Sequence, residues 1–232
     1  ALCLCLSSAQ AEVKRVKLTS LEWPPYTGQT LPEQGATAAV ARAAFAAMGY
    51  ELTIEFYPWS RALLLARRPD SDYVGYFPEY YAESLKTDFV LSAPLGNGPL
   101  GFVERTDDPL HWTKLTDLAH ITIGTVQDYI NTEEFDRLAA EGTLHVEPAS
   151  NDSANLRKVA GQRLRLAVID RHVMAYLLEH EVELAEVREL VQFNPRILED
   201  KQLYICFRND ARGQAMVRVF NEGLKRIDPQ AI

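Results

Sequence analysis

The sequence predicts an α/β protein of two doubly wound lobes joined by a two-strand hinge. Strand-like and helix-like segments alternate along the chain, which is typical of α/β folds, and the same order of elements occurs twice. Two extended segments, 98–104 and 202–207, connect the halves. We therefore expect lobe 1 at 12–103 plus 204–232 and lobe 2 at 104–203. One continuous doubly wound sheet is the alternative.

The first half follows the order strand, helix, strand, helix, strand. Alternating residues at 16–19 predict the first strand. Apolar residues at helical spacing predict a helix over 36–48, which Gly49 is well placed to end. Ser60 is the expected cap of the second helix. The other elements are an alternating strand at 52–56, a turn at Pro58 and Trp59, and a strand at 73–77.

The second half repeats this order and is followed by a final helix. Gly142 is expected to end its first helix. The predicted elements are a strand at 121–123, a helix at 133–140, a strand at 144–147, a helix at 153–160, a strand at 166–169, a helix at 173–181 and, after the extended segment 202–207, a helix with Val217, Phe220, Leu224 and Ile227 on one face.

The start of the chain predicts export. An apolar run at 1–6 precedes serines and the small-x-small site at 9–11, which is typical of the end of a signal peptide. We expect 1–11 to be a signal-peptide remnant with cleavage before Glu12, and hence a periplasmic location. A short buried strand or helix start is the alternative, because six apolar residues are too few to span a bilayer.

Composition and charge narrow the classes of partner and chemistry. The chain has 232 residues and a net charge of −8, which argues against nucleic acid as a partner and weakly favours cationic ligands. The histidines lack metal-ligand spacing, and no phosphate-binding loop or nucleophile motif is present, so we expect no metal and no cofactor. Cys206, in an apolar run, is expected to be inert core. We expect a monomer.

The segment Glu22-Trp23-Pro24-Pro25-Tyr26 ends the first strand abruptly, because two prolines cannot extend a strand. Open α/β sheets bind ligands at the carboxyl ends of their strands. Trp23 and Trp59 both follow strands, so we expect both rings to contact a ligand, with packing as the alternative. Tyr26 either offers a hydroxyl donor or packs across the two prolines.

With these elements in order, the chain resembles the extracellular solute-binding proteins of family 3, the type II periplasmic binding proteins of polar amino-acid transporters. The resemblance covers nearly the whole mature chain. It rests on the segments 22–26, 58–62, 87–94, 155–160, 166–170, 204–207 and 220–225. It implies two lobes that close over a small polar solute and hand it to a membrane transporter or a sensor, with no covalent chemistry.

The resemblance also implies roles for single residues. Asp170, at the end of the strand 166–169, matches the family aspartate that holds the ligand's ammonium group; capping of the next helix is the alternative. For Arg61 the argument comes from its position instead: a positive charge in the first turn of a helix opposes the helix dipole, so we expect it to bind an anion or carbonyl group, or else to pair locally with Glu79 or Glu83. The family often has a glycine at the position of Asp128.

Glu83 departs from the family pattern, because amino-acid-binding members carry there the arginine that grips an α-carboxylate. Either Arg61 or another donor takes over the anion, or the ligand has no α-carboxylate. Aromatic residues interleave with acids around the third strand, a mixture that suits a cation. Among these rings we expect Tyr76 to contact the ligand. The whole group is Tyr73, Tyr76, Phe77, Tyr80 and Tyr81 with Glu79 and Glu83.

Two other functions stay open at this point. One is a sensory or orphan binding domain that reports occupancy to a partner. The other is a lyase on the same fold, in which a carboxyl with a raised pKa acts as acid or base. The candidate carboxyls are Glu22, Glu79, Glu83 and Asp170. We expect a binding protein rather than an enzyme, with Trp23, Tyr26, Trp59, Arg61, Tyr76 and Asp170 as ligand contacts.

Overall fold

The computed structural model describes residues 14–232, so the expected signal-peptide remnant at 1–11 lies outside the described residues. The described strands are β1 (Lys14–Ser20), β2 (Tyr50–Phe56), β3 (Gly75–Tyr80), β4 (Phe89–Leu91), β5 (Gly96–Arg105), β6 (Thr122–Val126), β7 (His145–Ala149), β8 (Leu166–Asp170), β9 (Val191–Phe193) and β10 (Glu199–Arg208). The described helices are α1 (Ala36–Ala46), α2 (Trp59–Arg67), α3 (Glu133–Ala140), α4 (Asp152–Ala160), α5 (Arg171–His180) and α6 (Ala211–Leu224).

The strands form two parallel cores that the long strands β5 and β10 connect. In the first core β1 pairs parallel with β2 and β3, and in the second β6 pairs parallel with β7 and β8. We call lobe 1 the part built from β1–β4, α1, α2 and α6, and lobe 2 the part built from β6–β9 and α3–α5. Strand-to-helix connections within each lobe make both doubly wound, which confirms the expected fold class.

The hinge is an antiparallel ribbon of β5 and β10. The two strands pair from Gly96 opposite Leu203 to Leu100 opposite Glu199. Beyond this stretch β10 pairs with β3 and β4, whereas β5 pairs with β8 and β9. The two predicted connecting segments are therefore confirmed as strands of one ribbon, while the residue boundaries of the lobes stay a prediction.

Local structure follows the predicted pattern closely, with one correction at α2. Helix α1 ends at Ala46, two residues before the predicted end, and Gly49 follows with a φ of +76°. Ser60 does not cap α2, because the helix begins at Trp59 with Pro58 at the N-cap position. The Ser60 hydroxyl instead donates to the carboxylate of Asp128 in lobe 2.

The buried apolar residues form two clusters with different roles. One lies within lobe 1, where Phe45 of α1 packs 5.5 Å from Phe220 of α6 and 6.4 Å from Phe207 of β10, measured between ring centroids. The other continues from lobe 1 into lobe 2 and includes Trp23, Trp59 and the buried side of β8. The lobes are therefore in direct apolar contact. None of the described helices is long and apolar enough to cross a membrane.

The substitution Phe45→Ala should destabilise lobe 1. Phe45 is fully buried between α1, α6 and β10, and a large-to-small change at such a position costs about 3–5 kcal/mol of unfolding free energy. Leu64 of α2 is 61% exposed, so Leu64→Ala should change stability by less than about 0.5 kcal/mol. Urea denaturation of both variants checks this; equal losses would contradict the packing described.

Candidate functional site

The loops that follow the strands of the two lobes meet in a cleft beside the hinge. Trp59, just after β2, donates its indole N–H to the backbone oxygen of Asp128, just after β6, at 3.1 Å. Trp23, after β1, lies edge-on to Tyr129 of lobe 2 at 6.4 Å between ring centroids. The carboxyl ends of the strands thus face each other, which is where open α/β sheets place their ligand sites.

Asp170 connects the lobes through two tyrosines. Its carboxyl is 2% exposed. The Tyr26 hydroxyl lies 3.1 Å from each carboxyl oxygen, and the Tyr80 hydroxyl lies 3.3 Å from Oδ2. Both tyrosines belong to lobe 1, whereas Asp170 ends β8 in lobe 2. Burial and the neighbouring Asp170 charge raise the pKa of Tyr26, so its hydroxyl stays protonated as a donor.

Asp170 also caps α5, as the alternative interpretation expected. Its Oδ1 accepts the backbone N–H groups of His172 at 2.7 Å and Val173 at 3.1 Å. Burial raises the pKa of Asp170 despite these hydrogen bonds, which oppose the shift. The cap is present in the structure, while the role of Asp170 toward an ammonium group stays a prediction.

Five aromatic side chains, which we call the aromatic cluster, surround the cleft: Trp23, Tyr26, Trp59, Tyr80 and Tyr129. Trp23 is central, at 4.7 Å from Tyr26 and 5.8 Å from Tyr80 between ring centroids. Four of the five line a cavity of about 20 Å³ together with Glu79. Because small-molecule pockets hold roughly 300–1,000 Å³, the lobes must separate for a ligand to enter.

Two further carboxyls are buried in the cleft, one from each lobe. Glu79 of lobe 1 and Asp152 of lobe 2 are each 5% exposed. Burial raises the pKa of Glu79 from 4.5 to about 8, although hydrogen bonds from the Tyr80 backbone and the Tyr76 hydroxyl oppose the shift. Burial and the nearby Asp170 charge raise the pKa of Asp152 from 3.8 to about 7.

Lys201 of β10 is a buried cation whose positive charge acts to lower the pKa of Glu79. It is 3% exposed, and its charge only partly offsets the raised pKa of Glu79. Its ammonium lies 3.4 Å from the carboxylate of Glu199 and 5.5 Å from the Tyr80 ring centroid. The Lys201 ammonium therefore contacts the hinge through Glu199 and the cleft through the Tyr80 ring.

Arg61 is the predicted site residue that lies apart from the others. It is exposed on α2, and its guanidinium stacks 5.2 Å from the Tyr57 ring centroid. Glu83 is also exposed and accepts hydrogen bonds from the Tyr81 hydroxyl and from Lys86, the latter at 2.9 Å. Neither expected local partner, Glu79 or Glu83, is in contact with Arg61.

Tyr76 packs against the aromatic cluster from the protein core and does not line the cavity. It is fully buried, packs 5.3 Å from Trp59 and 4.9 Å from Phe89 between ring centroids, and donates its hydroxyl to Glu79 at 3.3 Å. The structure thus brings Trp23, Tyr26, Trp59 and Asp170 together, with Tyr76 supporting Trp59. Their contact with a ligand stays a prediction.

Sequence reasoning left Tyr80, Tyr129, Glu79 and Asp152 out of the expected ligand contacts, although it named Tyr80 and Glu79 in the group around the third strand and Glu79 among the candidate carboxyls. Tyr129 and Asp152 each come shortly after a lobe 2 strand, so the strand-end rule that selected Trp23 would have found them. Asp128 shows a different signal: its φ of +63° is a left-handed conformation that glycine adopts without strain. This agrees with the glycine that the resemblance implied at this position.

In residues 14–232 no three His, Cys, Asp or Glu side chains converge in a way that could hold a metal ion. The acids of the cleft are spread along it instead. Burial, with the charges of Asp152 and Glu79, raises the pKa of Tyr129. Burial, with the charges of Asp170 and Asp152, raises the pKa of Tyr80.

The free energy of unfolding should fall as the pH rises toward 8. Folded Glu79 keeps its proton up to about pH 8, whereas the unfolded side chain releases it near 4.5, so the folded protein binds more protons between these values. Asp152 acts in the same direction up to about pH 7. Glu79→Gln keeps the size of the side chain and removes its charge. Urea denaturation at pH 5 and pH 8.5 should show a weaker pH dependence in this variant; an unchanged dependence would contradict the burial of Glu79 as an acid.

A methyl group at position 98 should separate Tyr26 from Asp170. Gly98 lies in the hinge strand β5, and a Cβ there would overlap both the Tyr26 hydroxyl and an Asp170 carboxyl oxygen. At Gly96, in the same strand, a Cβ would lie 3.4 Å from a methyl group of Thr37, so Gly96→Ala is the matched control.

We expect Gly98→Ala to open the cleft, with a larger radius of gyration by X-ray scattering and red-shifted fluorescence as Trp23 and Trp59 gain water. Gly96→Ala should match the parent protein in both measurements. Indistinguishable behaviour of the two variants would show that the contact between Tyr26 and Asp170 does not hold the lobes together.

No family model and no curated protein matches this chain. Solved structures do match it. The ligand-binding core of GluR0 from Nostoc punctiforme, in complex with L-glutamate, aligns with a TM-score of 0.73 at 15% identity over 93% of this chain and 94% of that chain. A histidine kinase sensor domain with similarity to periplasmic binding proteins aligns with a TM-score of 0.75 at 18% identity over 92% and 90%.

An ancestral arginine-binding protein bound to arginine aligns with a TM-score of 0.72 at 14% identity, over 91% of this chain and 91% of that chain. The three neighbours agree in fold over almost the full length of the chain. The chain therefore has the fold of the type II periplasmic binding proteins, as its resemblance to the family 3 solute-binding proteins implied.

Proposed function

We propose that this chain is a periplasmic solute-binding protein that captures a small polar ligand with an ammonium group, an amino acid or a related amine, between its lobes. The observation that carries the proposal is the position of Asp170. Its buried carboxyl ends β8 at the lobe interface and faces the Tyr26 and Tyr80 hydroxyls of the other lobe. A ligand ammonium at this point would make charge-assisted hydrogen bonds to the carboxylate.

The aromatic cluster supports the same class of ligand. Trp23 and Trp59 are the proposed ring contacts, because a cation over an aromatic face gains about 2 kcal/mol or more once it is desolvated. Tyr26 would donate or accept a hydrogen bond, and Tyr76 would support Trp59 from behind. If the ligand also carries a carboxylate or carbonyl group, Arg61 is the proposed contact, and its guanidinium must then leave the Tyr57 ring.

Closure follows from the same contacts. A ligand shifts the lobes toward the closed state only by binding that state more tightly. Asp170 belongs to lobe 2 and the two tryptophans belong to lobe 1, so a bound cation contacts both lobes at once. The proposed function is therefore ligand binding without covalent turnover. Two of the structural neighbours are named as a ligand-binding core and an arginine-binding protein.

Delivery to a membrane transporter is the proposed use of the captured ligand. Sensing is the second candidate, since one structural neighbour is a histidine kinase sensor domain. Measuring ligand uptake by cells that lack this gene distinguishes delivery from sensing. Lost uptake supports delivery, whereas normal uptake with a lost transcriptional response supports sensing.

Asp170→Asn should weaken ligand binding about tenfold or more, because hydrogen bonds to a charged group contribute about 1.5–3 kcal/mol. Asparagine caps helices as well as aspartate does, so the start of α5 should be retained. A thermal-shift screen of mature protein with amino acids and their decarboxylated amines identifies the ligand class, since a ligand at a hundred times its Kd stabilises by about 2.7 kcal/mol.

Calorimetry on the best ligand then compares the parent protein with Asp170→Asn. Unchanged affinity would show that Asp170 does not bind the ammonium group. The absence of a thermal shift with every amino acid and amine would contradict the proposed function itself.

A further inference from the structure

The two carboxyl oxygens of Asp170 are fully engaged in the closed cleft. The backbone N–H groups of His172 and Val173 both donate to Oδ1. The Tyr26 hydroxyl lies 3.1 Å from each oxygen, and the Tyr80 hydroxyl lies 3.3 Å from Oδ2. A carboxylate offers about four acceptor positions, and these four donors fill them. An ammonium group therefore reaches Asp170 only by displacing one of the four.

The tyrosine hydroxyls are the donors that can leave. The two N–H groups belong to the start of α5, directly after Asp170, and move with it. The tyrosines belong to lobe 1 and draw away when the lobes separate, which ligand entry requires. Of the two, Tyr26 makes the closer contact and reaches both oxygens, whereas Tyr80 reaches one. Tyr26 is therefore the main obstacle to an incoming ammonium group.

The contact between Tyr26 and Asp170 is closed off on the sides that the structure describes. Neither residue lines the cavity of the aromatic cluster, and the two side chains are 6% and 2% exposed. The backbone of Gly98 lies directly against both polar groups, because a Cβ there would overlap the hydroxyl and the carboxyl. An ammonium group thus has no free approach to Asp170 while Tyr26 stays in place.

The Tyr26 hydroxyl has a second acceptor close by. The backbone oxygen of Asn97, in the hinge strand β5, lies 3.4 Å from it. A hydroxyl that leaves Asp170 can turn to this oxygen, which limits the cost of leaving a buried polar group unpaired. The ammonium group that replaces it makes a charge-assisted hydrogen bond in place of one from a neutral phenol. The exchange therefore favours a cationic ligand.

We propose that the Tyr26 hydroxyl is an intramolecular competitor of the ligand's ammonium group: it holds Asp170 when the lobes close on themselves, and it must leave before the ammonium group binds. The proposal rests on the proposed function and adds the regulation of its site. Tyr26 then sets the affinity by opposing the ligand rather than by contacting it.

Competition makes the apparent affinity depend on how much of the protein has Asp170 free. The apparent Kd equals the intrinsic Kd divided by the fraction of protein in the binding-competent state. The contact between Tyr26 and Asp170 lowers this fraction, so removal of the hydroxyl should tighten binding and raise the association rate. A hydroxyl that only contacted the ligand would have the opposite effect, since its loss would weaken binding and raise the dissociation rate.

The test compares the parent protein with Tyr26→Phe, which removes one oxygen atom and keeps the ring that packs 4.7 Å from Trp23. The probes are glycine, L-ornithine, L-glutamate and 1-aminobutane, which share an ammonium group and differ elsewhere. For each probe that the parent binds, calorimetry should show about tenfold tighter binding by Tyr26→Phe, or about 1.4 kcal/mol. Stopped-flow tryptophan fluorescence should assign this gain to the association rate, with the dissociation rate within about twofold of the parent.

Tyr73→Phe is the matched control. The Tyr73 hydroxyl also donates to a carboxylate, that of Glu55 at 2.6 Å, but both residues belong to lobe 1, so all affinities should stay within about twofold of the parent. Tyr80→Phe removes the longer contact to Asp170 and should tighten binding by a smaller factor. It serves if Tyr26→Phe does not fold.

A double substitution tests whether the effect acts through Asp170. In Asp170→Asn the Tyr26 hydroxyl no longer has a carboxyl group to hold, so the further change Tyr26→Phe should alter the affinity by less than about twofold. Such a loss of the gain is the coupling that two groups in direct contact show. A tenfold gain that persists in Asp170→Asn overturns the assignment of the competition to this carboxyl.

The outcomes separate this proposal from the proposed function. Weaker or unchanged binding by Tyr26→Phe, with amines still bound by the parent, leaves amine capture intact and overturns the competition. An equal gain in Tyr73→Phe overturns it as well. No binding of any probe by the parent or by Tyr26→Phe overturns the competition, and an empty amino-acid screen in addition contradicts the proposed function.

Discussion

The buried carboxyl of Asp170 holds the cleft together. Tyrosine hydroxyls from lobe 1 and the first backbone N–H groups of α5 all converge on its two oxygens. A buried carboxyl requires such donors, because an unsatisfied one costs more than an ordinary hydrogen bond provides. The donors in turn determine where the rings of Tyr26 and Tyr80 lie, and Trp23 packs against both rings. The shape of the cleft therefore depends on this one group.

Low polarity around the cleft has two effects with a common origin. It raises the pKa of Glu79 and Asp152, since both would be ionised without enough nearby positive charge. It also strengthens any interaction between a cation and these acids, because the attraction grows as the effective dielectric constant falls. The same burial that makes the closed lobes sensitive to pH thus supports the proposed preference for positively charged ligands.

Local sequence rules predicted the elements and the strand ends well, because both depend on short-range pattern. Trp23 and Trp59 follow strands, and the rule for open sheets was sufficient to place them at the cleft, whereas Asp170 was selected through the resemblance to the family 3 solute-binding proteins. Ser60 pairs with Asp128, which is far away in sequence and beyond the reach of a local pattern. Arg61 stacks on the nearby Tyr57 ring, and no rule used on the sequence predicted that contact. Asp152 also follows a strand, β7, and it was missed because the same rule was not applied to the ends of the lobe 2 strands.

The ribbon of β5 and β10 gives the hinge a particular mechanical character. Because the two strands are hydrogen-bonded to each other between the lobes, they cannot slide or bend independently, as two separate tethers would. We therefore expect the ribbon to bend and twist as one body, so that the lobes approach each other along one main path. The length of whatever lies in the cleft then sets how far along this path the lobes stop. A partner that contacts both lobes would then respond to the length of the ligand through the angle between the lobes.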